Sequence, residues 1–464
     1  MKYIAIDIGS SFIKFALLDL HSLTILKKQK TRSPNRLKNS NANYYEIPAK
    51  EIYEIVKEKI DDYTDNFTNI SGVVLSTQMH GFIYKDSGTT EDIYVSWQDN
   101  RCLNTMGKSD TSYLEYLKEQ ISNESMIDNG VYLKPSLGMC NLYQLLSDKT
   151  EKEKNGELYT LGSYIISNLT GSNLCHITSA APLGLVNVTK RTWDNNMIAK
   201  IGFKNIQFPK IIENDFDSCG VYFSNGQELK IFSDFGDQQV SILGSTTIDN
   251  DLVLNIATAS QVSLITDTFN PGQYETRPYF EGKYINTISN LPSGRNLEVF
   301  VSFFSELLER ISEQEVDINQ IWKVILKDFD FNPENLQVNM NFYVTPDNAN
   351  GGNIMGINSN NLRINTLLSA AFKDMAETYN EKLKILIKTQ RENNQIICSG
   401  GVSWKIPQLL KVIKEITGYE TVTPEFPDEV FAGLFRIALV CGGVCKDLDD
   451  TWKYQFILEG DDYY

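Results

Sequence analysis

This sequence predicts an α/β protein built in two successive halves. Short apolar stretches suited to strands alternate with longer ones at helical spacing, and they do so on both sides of residue 230. At 464 residues the chain is also longer than one hydrophobic core usually serves. In the first half, "KYIAIDIG" and "FIKFALLDL" are separated by two serines and read as a β-hairpin. Residues 33–43, "SPNRLKNSNAN", are polar and turn-rich, which predicts an exposed loop. "IPAKEIYEIVKEKIDDY" has the period of an amphipathic helix, and "ISGVVLSTQ" reads as a buried strand. Two further helices are expected near 137–147 and 154–168.

A second series starts near residue 231. "LVLNIATAS", "QVSLIT" and "KYINTIS" read as strands, and "NLEVFVSFFSELLERI" as a helix. A long helix is expected over "NLRINTLLSAAFKDMAETYNEKLKILIK", then the strand "QIICSGG" and the helices "IPQLLKVIKEIT" and "PDEVFAGLFRIALVCGG".

The net charge of −16 argues against a nucleic acid or an anionic membrane as partner, since both require a basic face. An anionic ligand such as a nucleotide is still compatible, provided backbone N–H groups and a divalent cation hold its phosphates locally. Seven scattered cysteines without a CxxC pair, and three histidines, argue against a zinc site and for a reducing compartment. The N-terminal apolar run is broken by Asp7 and is too short for a signal peptide; no stretch approaches the ~20 apolar residues of a membrane span. A soluble, cytoplasmic protein is the expectation.

Four loops, each following an apolar strand, carry the candidate chemistry. In "DIGSS", Ser10 and Ser11 sit in a tight turn whose N–H groups can face phosphate, while Asp7 can hold a metal ion through water; an ordinary hairpin turn has the same letters. "NIATAS" repeats the pattern with Thr258, and "CSGGVSWKIPQLL" places Gly400 and Gly401 between a strand and a helix. The fourth, "FSDFGDQQVSILG", sets Asp237 at the mouth of a helix. Asp is a favoured helix N-cap, so that residue needs no chemistry to explain it. Asp234 is its rival and reads as a solvated or turn-forming residue. Gln78, His80, Trp97, Asp99 and Arg101 form a dense set of hydrogen-bonding groups with one flat ring, the mixture a polyhydroxylated ligand requires.

Together these motifs resemble the FGGY family of carbohydrate kinases, within the actin-like ATPase superfamily. The resemblance rests on Asp-Ile-Gly-Ser-Ser, Gln-Met-His-Gly near 80, Trp-Gln-Asp-x-Arg near 100, "SNLTG" with "TSAAPLGLVNVTKRTWD", Gly-Asp-Gln-Gln and Ser-Gly-Gly near 400, and it runs over essentially the whole chain. "NIATASQVSLI", "YETRPYFEGKYI" and "GRNLEVFVSFF" look most like the sedoheptulokinase branch.

The resemblance implies two ribonuclease H-like domains flanking a catalytic cleft, with residues 1–230 binding sugar and 231–464 binding ATP. It implies an ATP- and Mg2+-dependent transfer to a terminal hydroxyl of a ketose, sedoheptulose first and xylulose or ribulose second. Asp237 would be the general base, and the absent side chain of Gly236 would leave room for a sugar hydroxyl. Gln78, Met79, His80, Trp97, Asp99, Arg101 and Gln238 would line the sugar pocket. Ser10, Ser11, Thr258, Gly400, Gly401 and Trp404 would meet ATP, and Asp7 the metal. Two other classes compete: a catalytically weak, sugar-responsive binding protein, and an actin- or chaperone-like ATPase acting on a protein partner. The expected partners are a small-molecule sugar and ATP, with a homodimer as an open alternative to a monomer.

Overall fold

The computed structural model describes residues 1–107, 109–246, 251–343, 351–387 and 394–458. The chain forms two compact units, each discontinuous in sequence. The first comprises Met1–Gly244, Asp267–Ile285 and Asp428–Tyr464; the second comprises Ser245–Thr266 and Asn286–Pro427.

In the first unit a seven-stranded sheet runs in the order Ser218–Ser224, Gln227–Gly236, Ile70–Thr77, Lys2–Ile8, Phe12–Asp19, Thr24–Arg32, Ile457–Leu458. The hairpin read from "KYIAIDIG" and "FIKFALLDL" is its centre, paired antiparallel from Lys2 opposite Asp19 to Ile8 opposite Ile13. Ile70–Thr77 lies parallel to Lys2–Ile8 on one side and to Gln227–Gly236 on the other. Central parallel strands are buried on both faces and so read as continuous apolar runs. Helix Ala49–Asn66 buries Ile52, Val56, Ile60 and Tyr63 against this sheet, at the spacing that predicted it. A smaller sheet orders Glu46–Pro48, Ile93–Val95, Phe82–Asp86 and Gly156–Tyr159.

The expected helix over 154–168 is corrected. Gly156–Tyr159 is a strand paired with Phe82–Asp86, and the helix starts only at Leu161. Thr160 caps it, accepting a hydrogen bond from the Ser163 N–H at 3.0 Å while Ser163 Oγ accepts from the Thr160 N–H.

The second unit carries neighbouring strands in the order Tyr284–Leu291, Ser260–Thr266, Leu252–Ile256, Gln395–Ser399, Glu420–Val422. Helices Gly294–Ser312, Ile318–Lys327, Ile364–Leu386 and Pro407–Thr417 accompany them. The expected helix ending at Lys388 is described as far as Leu386, and Lys388 lies outside the described residues. Among the described residues, no helix is long and apolar enough to cross a membrane.

Candidate active site

Three of the motifs meet in the first unit, at the carboxyl ends of three adjacent parallel strands. Ile8 and Gly236 both lie opposite Thr77, so the "DIGSS", "QMHG" and "GDQQ" loops leave the sheet side by side. The carboxyl ends of parallel strands are where α/β sheets gather ligand-binding loops. Asp7 is 6% exposed; its Oδ1 accepts from Ser76 Oγ at 2.8 Å and its Oδ2 lies 3.5 Å from Lys14 Nζ. Burial raises its pKa, and Lys14 opposes the rise.

Asp237 is the first residue of helix Asp237–Ser245, and its Oδ1 accepts the Gln238 N–H at 2.8 Å. Burial, reinforced by the negative charge of Asp7, pushes its carboxyl up to about 7. A carboxyl poised there changes protonation state at neutral pH. The reason given above for Gly236 is corrected: a Cβ there would stand 2.5 Å from Gln239 Oε1 and 2.6 Å from Met79 Sδ. The glycine makes room for the protein's own side chains.

Asp234 is neither solvated nor in a turn. It sits inside strand Gln227–Gly236 at 0% exposure, where Oδ2 accepts from Thr160 Oγ1 at 2.6 Å and Oδ1 from the His176 N–H at 2.8 Å. Burial nonetheless raises its pKa to about 6. Asn at this position would turn an amide NH2 toward one of these two donors. Asp234→Asn is therefore expected to cost ~1–3 kcal/mol of stability, read as a lower urea midpoint. An unchanged midpoint would show that the pair of hydrogen bonds contributes nothing.

His80 follows the central strand with a backbone φ of 67°, an uncommon conformation for a residue with a side chain. Its Nδ1 lies 3.0 Å from the Pro182 carbonyl oxygen, which can only accept, so Nδ1 carries the proton and Nε2 is the acceptor. Arg277 Nη2 faces that Nε2 at 3.4 Å. Burial, with Lys134 and Arg277 nearby, holds the imidazole well below its usual pKa, so it stays neutral.

Arg277 donates to Glu275 Oε2 from Nε at 3.0 Å and from Nη2 at 2.6 Å, and from Nη1 to Gln238 Oε1. Lys134 pairs with the other Glu275 oxygen. Both cations lower the Glu275 pKa despite its burial, so it is ionised. Gln78 Oε1 and Tyr94 Oη are buried without a protein partner, and burial with the nearby charge of Asp237 raises the Tyr94 pKa.

Of the remaining members of the sugar cluster, two are buried against one another. Asp99 and Arg101, each 0% exposed, close on one another: Arg101 Nε and Nη2 each donate to Asp99 at 2.9 Å, and Nη2 also to Glu46 at 2.7 Å. Trp97 is 41% exposed.

In the second unit, Thr258 sits on the exposed turn between Leu252–Ile256 and Ser260–Thr266, and Gly401 opens the short helix after Gln395–Ser399. Ala257, Thr258, Gly294, Trp322, Gly401 and Val402 border a cavity of about 960 Å3 within this unit. Such a volume suits a nucleotide-sized ligand. The two glycines differ in role. Gly400 has a φ of 86°, and a Cβ there would lie 2.6 Å from the Ile256 carbonyl oxygen, whereas one at Gly401 would meet nothing within 4 Å. Trp404, on the same short helix, is 40% exposed and outside the cavity lining.

Residues 2–244 match the N-terminal domain of the FGGY family of carbohydrate kinases. The chain belongs to that family. Curated FGGY relatives include the glycerol kinase of Haloquadratum walsbyi, 21% identical over 272 residues that make up 53% of this chain and 51% of that one. The glycerol kinase of Thermococcus onnurineus is 22% identical over 43% of this chain and 41% of its own. The matched region thus spans about half the length of these relatives, or less.

Solved structures extend the likeness over the whole fold. A ligand-bound xylulose kinase from Lactobacillus acidophilus superposes with a TM-score of 0.80 at 20% identity, covering 99% of this chain and 94% of that one. The Plasmodium falciparum glycerol kinase with ADP gives 0.79 at 14%, with the same coverages. At such identities the likeness is one of fold: the mixed α/β, two-domain, actin-like ATPase fold.

Lys134, Glu275 and Arg277 escaped the sequence reading of this FGGY chain. The segments "KPSLG" and "YETRP" contain them, and Glu275 and Arg277 alternate along strand Glu275–Pro278 so that both face one way. That alternation of opposite charges was the available signal. Their meeting with His80, some 200 residues away in sequence, was not legible.

Proposed function

We propose that the protein is an ATP-dependent kinase that phosphorylates a hydroxyl of a small polyhydroxylated substrate, with Asp237 as general base. The observation that carries this reading is the Asp237 carboxyl held at about 7 at the end of a parallel strand, beside buried Gln78 and Arg277 and partly buried His80. Phosphoryl transfer asks little covalent work of a protein; it requires an oriented hydroxyl, a charge-neutralised phosphate and a group to take the proton. The Asp237 carboxylate takes that proton. Neutral His80, Gln78, Gln238 and Arg277 orient the hydroxyl-bearing substrate, and the second-unit cavity bordered by Thr258 and Gly401 supports nucleotide binding.

Asp7 fits the role of holding a magnesium ion through water. Its buried carboxylate is a hard oxygen donor of the kind that Mg2+ shares with substrate phosphates and water. When bound, Mg2+ would neutralise charge on the transferring phosphoryl group. Cytoplasmic location and a reducing environment remain the sequence's own reading.

Within the kinase class the acceptor we favour is a ketose, either sedoheptulose as the segment similarities suggest or xylulose and ribulose. ADP release should be measured with xylulose, ribulose, sedoheptulose, glycerol, aldoses and aldonates. A ketose as best acceptor supports the reading; glycerol or an aldose far ahead removes the ketose and leaves the kinase. ADP release that ignores every acceptor removes the kinase and favours a protein-directed ATPase. His80→Ala is expected to raise the KM of the best acceptor roughly five- to a hundredfold, the usual penalty for losing a buried hydrogen-bond partner, with the KM for ATP unchanged. An equal loss in both constants would make His80 a scaffold residue.

A further inference from the structure

Thr178 Oγ1 accepts a hydrogen bond from the Gly236 N–H at 2.9 Å, the last amide before Asp237. The same hydroxyl lies 2.7 Å from His176 Nδ1, and that nitrogen also accepts the Thr178 N–H at 3.2 Å. A backbone N–H can only donate, so Nδ1 carries no proton. The Thr178 hydroxyl hydrogen therefore points at the ring, and its oxygen is left to accept from Gly236. The ring proton is on Nε2, which lies 3.2 Å from Asp215 Oδ1, off the straight line of an ideal hydrogen bond. Asp215 is also paired with Arg191, and its Oδ2 accepts the Glu281 N–H at 2.7 Å. His176 is 0% exposed, with Phe235 and Phe280 against its ring at 4.9 and 5.8 Å between centroids.

Each link sets the polarity of the next. Asp215 faces Nε2–H and so favours the tautomer with a bare Nδ1. That nitrogen orients Thr178, and Thr178 holds the Phe235–Gly236 peptide, one residue before Asp237. By its other oxygen Asp215 holds Glu281, four residues after Arg277. One buried carboxylate thus anchors two segments of the site within the same unit.

We infer that Asp215, acting through His176 and Thr178, is a positioning residue for Asp237, and that Thr178 is the contact through which it acts. The inference rests on the reading of Asp237 as the base. The mechanism itself uses none of these three residues. Fixing a reacting group matters because a displacement of ~1 Å costs up to ~100-fold in rate.

The test follows the Asp237 carboxyl directly by 13C NMR in aspartate-labelled protein, its signal assigned by its loss in Asp237→Asn, alongside ADP release as a function of pH. The groups facing Asp237 are Asp7, Arg277 and Tyr94, and Thr178→Val alters none of them. Thr178→Val is expected to move the Asp237 midpoint by ~0.5 unit or more, and to move the acid limb of kcat/KM with it. It should lower kcat ~10-fold or more with the KM for ATP unchanged, while Thr178→Ser, which restores the hydroxyl, stays within about twofold of the parent. Asp215→Asn, which retains shape, should shift the midpoint in the same way and decides the matter if the valine variant does not fold.

A lower melting temperature with an unmoved Asp237 midpoint would make the relay a packing device and overturn the inference. If the parent shows no acceptor-dependent ADP release, the kinase reading falls while the NMR titration still decides the positioning.

Discussion

Asp237→Asn is expected to lower kcat by ~10²–10⁴-fold, the usual cost of losing a general base, while ATP and acceptor still bind. Asn keeps the shape of Asp and can still accept the Gln238 N–H through its amide oxygen, so the start of the helix is preserved. What it lacks is proton affinity.

The pH dependence adds a second, independent sign. In the parent, kcat/KM for the acceptor should rise as pH increases through about 7, because only the ionised carboxylate accepts a proton. Stability runs the other way. The Asp237 carboxyl ionises near the usual carboxylate value when the chain is unfolded and at about 7 when folded. Its contribution is therefore complete below about pH 4 and is lost as pH rises toward 7. The Asn variant has no such loss, and its melting temperature should match or exceed that of the parent at pH 8 although it is nearly inactive. More than about a tenth of parental kcat retained at position 237 would remove Asp237 as the base.

Arg101→Met is expected to be the most destabilising of these changes. It leaves Asp99 at 0% exposure with its ionic partner gone and only the Tyr45 and Arg101 backbone N–H groups, at 2.6 and 2.9 Å, as donors. Removing one member of a buried ion pair typically costs ~3–5 kcal/mol, since the charge left behind is neither solvated nor paired. Loss of stacking on Tyr44, whose ring centre is 4.6 Å from the guanidinium, adds to this. The double variant Asp99→Asn/Arg101→Met should recover part of the loss because no charge is stranded. Urea unfolding monitored with and without acceptor separates the two roles. A variant with parental stability and a strongly raised acceptor KM would return Arg101 to the sugar pocket that the sequence suggested for it.

His80 and Asp237 stood out in the sequence because each sits in a loop of unusual residue types after a strand, and the family resemblance suggested a role for each. The alternation of strands and helices was legible because periodicity of 2 or 3.6 residues is a local property of the chain. The hairpin at residues 2–19 and the helices at 49–66 and 364–386 follow from such patterns. The strand Gly156–Tyr159 was misread because four residues are too few to show a period, and the helix after it supplied a stronger one.

Tertiary structure alone decided which polar residues stand in the candidate site and which face one another. Asp234 and Asp237 are three residues apart and similar in local sequence. One is spent on Thr160 and His176, 74 and 58 residues away, and the other stands beside Asp7 and Arg277. Asp99 and Arg101 look like sugar ligands until Glu46, Tyr44 and Tyr45 close around them. The return of Asp428–Tyr464 to the first unit likewise has no local mark. The physical reason is common to all of these. A side chain's type fixes what it can donate, accept or ionise, whereas its partners and its degree of desolvation come from residues distant in the chain, and those set its pKa and its role.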